Sequence, residues 1–167
     1  YPSFSGSIVF SEFIKNKQFI NYGKLRASWA QVGSDTDPYQ LALNYATAKY
    51  SYGGFVIGMI NNTTQPNKDL KPTRTNSFEL GLEMKFLQGR LGLDLTYYDQ
   101  LSKDQIIGLA SSSTSGYSYR LVNAGEIQNR GIEIALNGRV LDHKGFAWDA
   151  GLNFSKNQNK VRSLVEG

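Results

Sequence analysis

The chain has 167 residues, of which 40% are hydrophobic and 19% charged, and its formal net charge is +4. This balance excludes a disordered chain, and no run of about 18 apolar residues is present to form a transmembrane helix. The absence of cysteine excludes disulfides, thiolate zinc sites and cysteine nucleophiles. The single histidine, His143, lies in a polar turn, which argues against an enzyme. Lysine and arginine are scattered singly, which argues against a nucleic-acid partner.

Alternation of apolar and polar residues along the chain predicts β-strands. In chain order the alternating runs lie near residues 4–10, 25–29, 77–86, 91–98, 132–140 and 146–155. A seventh strand forms if the run 39–45 also pairs. Short turns at 87–90 and 141–145 join two pairs of runs into hairpins, whereas the connections around 33–76 and 101–130 are long and polar. The sequence therefore predicts an all-β chain of about six to seven antiparallel strands.

Strand length and aromatic spacing separate two architectures that share this alternation. Strands of a soluble β-sandwich average about 5 to 6 residues, whereas membrane-spanning strands need about 9 to 11. The aromatic pairs Phe78/Phe86 and Phe146/Phe154 each lie eight residues apart, or roughly 26 Å along a strand. A transmembrane barrel has an apolar band about 25 Å tall with an aromatic girdle at each edge. We therefore predict a segment of a transmembrane β-barrel, and the alternative is a soluble sandwich that binds carbohydrate.

The connections and the polar face supply the candidate functional residues. In bacterial barrels short turns face the periplasm and long loops face outward, and single-chain barrels have at least about eight strands. This chain is therefore expected to be one part of a larger barrel or one subunit of an oligomeric barrel. Charges of both signs on the polar face are expected to line the lumen, and they lack the defined carboxylate pair of a hydrolase. These lumen-facing candidates are Glu79, Glu83, Lys85, Asp94, Glu133 and Asp149.

Five motifs in order resemble the SusC/RagA-type TonB-dependent outer-membrane receptors. They are KLRASWAQVGS at 24–34, NKDLKP at 67–72 followed by NSFELGLE at 76–83, DLTYY at 94–98 with Lys103 and Asp104, NAGEIQNRGIE at 123–133, and the run from Trp148 to Val161. The resemblance covers nearly the whole chain and implies the C-terminal part of the barrel. It implies that residues 1–167 form one partial barrel domain, with the plug domain and the final strand lying outside this sequence.

The same resemblance implies a location in the bacterial outer membrane, in contact with membrane lipid and lipopolysaccharide. It implies import of a large nutrient, a glycan or peptide, together with a SusD-like surface lipoprotein and the TonB complex, which would be reached through the missing N-terminal part. No cofactor is implied, and Asp35-Thr36-Asp37 lacks the glycine and distal glutamate of an EF-hand, so no metal site is predicted. Substrate or partner contacts are expected from residues of the long connections: Tyr39, Tyr45, Tyr50, Tyr52, Phe55, Tyr117, Tyr119 and Arg120.

Overall fold

The computed structural model describes residues 1–15, 19–38, 41–60 and 63–164. These residues form strands and two short 3₁₀ helices, Phe10–Phe13 and Ser113–Ser115. The strands are β1 Ser3–Val9, β2 Ile20–Ser34, β3 Tyr45–Thr47, β4 Gly58–Ile60, β5 Thr64–Gln65, β6 Thr73–Phe86, β7 Leu91–Lys103, β8 Ile106–Ala110, β9 Tyr119–Asn123, β10 Glu126–His143 and β11 Phe146–Ser163. Within the described part of the chain, no helix has the length and apolar character needed to cross a membrane.

Two compact units make up the chain. We call the first the sheet unit; it comprises Tyr1–Val32, Thr75–Leu101 and Ile127–Arg162. The second, the connection unit, comprises Gly33–Arg74, Ser102–Glu126 and Ser163–Gly167.

Six strands form one antiparallel sheet in the order β1-β2-β6-β7-β10-β11. Its first pair runs from Ser3 opposite Ala30 to Val9 opposite Lys24. The predicted set of six strands is thus confirmed. The seventh run is not part of this sheet, because β3 pairs only with β4; Tyr39, in the same run, lies outside the described residues.

One face of the sheet unit is apolar and exposed. Phe4 stacks on Trp29 across β1 and β2, with ring centroids 6.1 Å apart, while Leu152 and Phe154 on β11 keep 63% and 53% of their surface accessible. A β-sandwich would bury this face under a second sheet, whereas a membrane barrel leaves it for lipid. The exposed apolar face therefore excludes the sandwich alternative.

Hydrogen-bonded polar residues follow the apolar band on the same outward face. Asn76 alternates in phase with Phe78 and accepts a hydrogen bond of 3.0 Å from Gln31 Nε2. Gln128 Nε2 donates to the Asp99 carboxylate at 2.7 and 2.8 Å. These residues form an outer polar rim, defined as Gln31, Asn76, Asp99, Gln128, Arg130 and Gln158. The rim occupies the strand ends that lead into the two long connections.

The strands are longer than the predicted runs because they continue through this rim. β6 and β7 have 14 and 13 residues, and β10 and β11 have 18 each, against roughly ten needed to span a bilayer. The residues added to β6 and β7 lie at the ends joined to the long connections, β10 is extended mainly at that end, and β11 is extended past Ser155. The apolar band is therefore only part of each strand.

The long connections also contain strands of their own. β3 and β4 form a hairpin, with Tyr45 opposite Ile60. β9 pairs with β5 in parallel and with β8 antiparallel, so segments of both connections share one three-stranded sheet. The long polar segments predicted from the sequence are thus partly ordered by β-pairing.

Candidate functional site

A charged cluster centred on Arg26 lies on the polar face of the sheet unit. Its guanidinium makes a two-pronged contact with Asp94, from Nη2 to Oδ1 at 2.9 Å and from Nη1 to Oδ2 at 3.3 Å. Nη2 also donates to Thr96 Oγ1 at 2.7 Å, and Nε lies 4.0 Å from Glu79 Oε1. The cluster joins β2, β6 and β7, and it places two of the predicted lumen carboxylates around one arginine.

Gly81 creates the space that this arginine occupies. A Cβ atom at position 81 would collide with the Arg26 side chain, at its Nε, Cγ and Cζ atoms. The guanidinium can therefore cross β6 to reach Asp94 on β7 only because residue 81 lacks a side chain. This glycine is needed for close packing rather than for a turn.

The other predicted lumen residues are distributed over the same face. Glu133 lines a cavity of about 390 Å³ that is also lined by Arg26 and Asp94. The Lys85 ammonium lies 5.6 Å from the ring centre of Tyr22. Glu83 lies between Gly81 and Lys85 in the alternation of β6. The structure thus brings Glu79 and Asp94 to Arg26, places Glu133 on the same cavity as Arg26, and places Lys85 in a different contact.

Asp149 belongs to a second charged group, near the short turn between β10 and β11. Its Oδ1 accepts a hydrogen bond of 3.0 Å from Arg139 Nε, and Arg139 Nη1 lies 3.4 Å from Asp142 Oδ2. Sequence reasoning selected the carboxylates Asp94 and Asp149 but missed the arginine that each one pairs with, which is Arg26 for Asp94 and Arg139 for Asp149. The alternation of β2, with Lys24, Arg26 and Ser28 opposite Leu25, Ala27 and Trp29, would have placed Arg26 on the polar face.

Exposed aromatic residues concentrate on the first long connection. The accessible fractions are 75% for Tyr45, 78% for Tyr50, 81% for Tyr52 and 76% for Phe55. Tyr52 and Phe55 are joined by two backbone hydrogen bonds, of 3.2 and 3.0 Å, across a tight turn. The segment from Tyr45 to Phe55 thus presents four large rings to solvent, two of them on this turn.

The second long connection places its candidates beside the first. Tyr119 and Arg120 lie on β9 opposite Thr64 and Gln65 of β5, and both side chains are exposed. Tyr117 is half-buried. Tyr119 and Arg120 are therefore held on a β-pairing. Tyr39 lies outside the described residues.

Asn123 locks two of the sequence motifs to each other. Its Oδ1 accepts from the Lys71 N–H at 2.6 Å, and its Nδ2 donates to the Lys71 carbonyl at 2.6 Å and to the Asp104 carbonyl at 2.9 Å. Asn67 Nδ2 adds a bond of 3.0 Å to the Leu121 carbonyl. The NKDLKP segment and the start of NAGEIQNRGIE are thus cross-linked by side-chain amides bonded to backbone.

Two glycines in the second of these motifs have different roles. Gly125 has φ +79° at the entry to β10, as expected where a connection turns into a strand. Gly131 lies within β10, where a Cβ would approach the Lys156 carbonyl and the Tyr98 hydroxyl at 2.6 Å each. Residues 126–130, between the two glycines, are continuous strand. Gly131 serves a close approach between neighbouring strands.

No metal site is evident in the described residues, because they contain no group of three or more histidine, aspartate or glutamate side chains able to hold an ion. The Asp35 carboxylate of the Asp-Thr-Asp segment accepts the Thr36 N–H at 2.8 Å. This contact is a local turn interaction.

Long antiparallel strands, an apolar outward face and a charged inward face define the wall of an outer-membrane β-barrel. Residues 2–164 match the family of TonB dependent receptor-like β-barrels, so the chain belongs to that family. TonB-dependent receptors P3 and P26 of Formosa agariphila are each 29% identical to it, over 98% of this chain. The TonB-dependent receptor SusC of Bacteroides thetaiotaomicron is 25% identical over 93% of the chain. The chain spans only 16 to 17% of the length of these relatives.

Solved structures show the same fold. The RagAB peptide transporter superposes with a TM-score of 0.86 at 23% identity, covering 99% of this chain and 18% of that one. The "closed-closed" state of the RagAB peptide importer gives 0.87 at 22% identity, with the same two coverages. The predicted family, barrel fold and outer-membrane location are confirmed.

Proposed function

We propose that this chain forms part of the wall and outer connections of a transporter that imports a large nutrient, a glycan or peptide, across the outer membrane. The observation that carries the proposal is the family match over residues 2–164. The named relatives are receptors and transporters rather than enzymes, and they include SusC and a peptide importer. Energy would reach the barrel through TonB, by a part of the receptor outside these 167 residues.

The exposed rings of the first connection are the proposed contact surface. Tyrosine offers a flat apolar face and a hydroxyl group, which suits both sugar rings and protein interfaces. Four rings more than 70% exposed on one short segment are costly to leave in water, which supports a role in binding. A SusD-like surface lipoprotein is the favoured partner, and the imported substrate is the second.

The Arg26 cluster is proposed to stabilise the lumen wall and to meet the plug domain. Arg26 is itself only about one-third exposed and is already bonded to Asp94 and Thr96. Glu79 and Asp94 keep 48% and 39% of their side-chain surface accessible. They are thus available to accept hydrogen bonds from a domain inside the barrel.

Alanine replacement of Tyr50, Tyr52 and Phe55 in the full-length receptor tests the contact surface. We expect nutrient uptake by cells to fall at least severalfold, and the amount of lipoprotein that co-purifies with the receptor shows which contact is lost. Tyr97→Phe, on the lipid-facing side of β7, is the matched control and should leave both quantities unchanged. Normal uptake and normal co-purification in the triple variant would remove this connection from the binding surface.

A further inference from the structure

Four cationic side chains lie together on the outward face of β10 and β11. Alternation along β11 places Lys156, Lys160 and Arg162 on the face that carries Phe154, and β10 contributes Arg130. All four residues are exposed, and within the described part of the chain none of them has an ion-pair partner. We call these four residues the basic patch.

Glutamines fix both guanidinium groups without neutralising them. Arg130 Nε and Nη2 donate to Gln158 Oε1 at 3.0 and 2.8 Å. Arg162 uses the same two atoms on Gln128 Oε1, with an Nε distance of 2.8 Å. A neutral amide holds one edge of each guanidinium and leaves its charge and its remaining nitrogen, Nη1, for another acceptor.

The two acids nearby do not cancel this charge. Glu126, two residues before Gln128 on β10, is already paired with Lys103, with Nζ 3.1 Å from Oε1. Asp99 accepts both bonds from Gln128 Nε2 and makes no ion pair with the patch. Even if Asp99 is counted, four cations and one carboxylate leave an excess of three positive charges. An anion is therefore the complementary ligand.

The position of the patch in the wall specifies where that anion comes from. Lys156 follows Phe154, the last outward aromatic residue of β11, by two residues, or about 7 Å along the strand. A lipid-facing cation costs about 2 to 4 kcal/mol at the bilayer midplane and little near the interface, and long basic side chains extend toward the headgroups. The patch thus lies at headgroup level, on the side of the long connections, which face outward in bacterial barrels.

The geometry points to the basic patch as a binding site for the phosphate group of an outer-leaflet lipid headgroup. Planar guanidinium groups match phosphate oxygens in pairs, and the two ammonium groups add compact positive charge. A lipid held here would bridge β10 and β11 from outside. The site does not depend on which nutrient the receptor imports.

Lipid titration of the full-length receptor tests this site. The purified receptor in detergent is titrated with phosphatidylglycerol, and bound lipids are counted by native mass spectrometry. We expect K156Q/K160Q to weaken the apparent affinity by about tenfold or more. The control K49Q/K68Q removes two exposed lysines from the connection unit and should bind as the wild type does.

Equal affinity of K156Q/K160Q and the wild type for phosphatidylglycerol overturns the assignment. If the same variant also loses the co-purifying lipoprotein, the patch is a protein contact instead. Should the double variant lose the heat-modifiable gel band of a folded barrel, Q158E gives the same test with one atom changed. Its new carboxylate would pair with Arg130 and lower lipid affinity, and unchanged affinity would likewise overturn the site.

Discussion

Replacing Asn123 by alanine should release the NKDLKP segment from the second connection. The substitution removes three side-chain hydrogen bonds, two to the backbone of Lys71 and one to the Asp104 carbonyl. At roughly 0.5 to 1.5 kcal/mol for each bond, the loss is about 1.5 to 4.5 kcal/mol. Because about 1.4 kcal/mol changes an equilibrium tenfold, local opening of this segment should rise between about tenfold and about a thousandfold.

Hydrogen exchange of the full-length receptor measures this opening directly. The peptide covering residues 67–73 contains the Lys71 N–H that Asn123 protects, and its exchange should accelerate in Asn123→Ala while the β-strand peptides stay protected. Asn44→Ala is the control, because Asn44 is an exposed residue of the first connection with no side-chain hydrogen bond in the described residues. An unchanged exchange rate for peptide 67–73 would refute the idea that Asn123 joins the two motifs.

Two further predictions concern the wall itself. Gly131→Val should lower the free energy of unfolding by roughly 1 to 3 kcal/mol or more through overpacking, since a Cβ would meet the Lys156 carbonyl at 2.6 Å. Denaturant unfolding of the receptor measures this loss. Gly6→Val is the control and should be tolerated, because a Cβ at Gly6 meets nothing within 4 Å. Leu82 lies midway between Phe78 and Phe86 on the lipid face, so Leu82→Arg should destabilise the barrel by about 2 to 4 kcal/mol. Glu83→Arg, on the lumen face, should destabilise it much less. Equal losses of stability in the two arginine variants would contradict the assigned faces.

The sequence predicted the sheet because its two signals, the apolar–polar alternation and the spacing of the aromatic residues, both arise inside the bilayer. A strand with one face in lipid and one in water must alternate, and Phe78/Phe86 mark where the lipid ends. The predicted run 77–86 and the observed β6, Thr73–Phe86, therefore agree at the short-turn end. They differ at the other end, where Asn76 is outward and polar. Beyond the lipid the outward face need not be apolar, so the alternation disappears although the strand continues.

The hydrogen-bond and ion-pair partner of a side chain was harder to predict than the face of the sheet on which that side chain lies. Alternation places Glu79, Asp94 and Glu133 on one face, but whether any two of them meet depends on how neighbouring strands are aligned. The bond of Arg26 to Asp94 crosses 68 residues of sequence, and it requires the open position at Gly81. Neither feature leaves a periodic signal. The partners of the lumen carboxylates therefore could be read only from the structure.

The upper edge of the apolar band also gives the tilt of the strands. The outward apolar residues next to the outer polar rim are Trp29, Phe78, Tyr97, Ile132 and Phe154, and Leu101 of β7 lies beyond the rim. Hydrogen bonds across the outer polar rim and the hairpin pairing of β6 and β7 show which residues lie side by side on neighbouring strands. The edge of the apolar band is level between β2 and β6. At each of the next three strands, β7, β10 and β11, it moves two residues toward the short-turn end. The total shift is about 20 Å along the strands over four strand spacings of about 4.8 Å each, or about 19 Å. Equal distances correspond to a tilt of about 45°, the inclination of strands in outer-membrane barrels. The boundary between apolar and polar side chains thus crosses the strands at the angle expected where a flat membrane surface meets the tilted strands of a barrel wall.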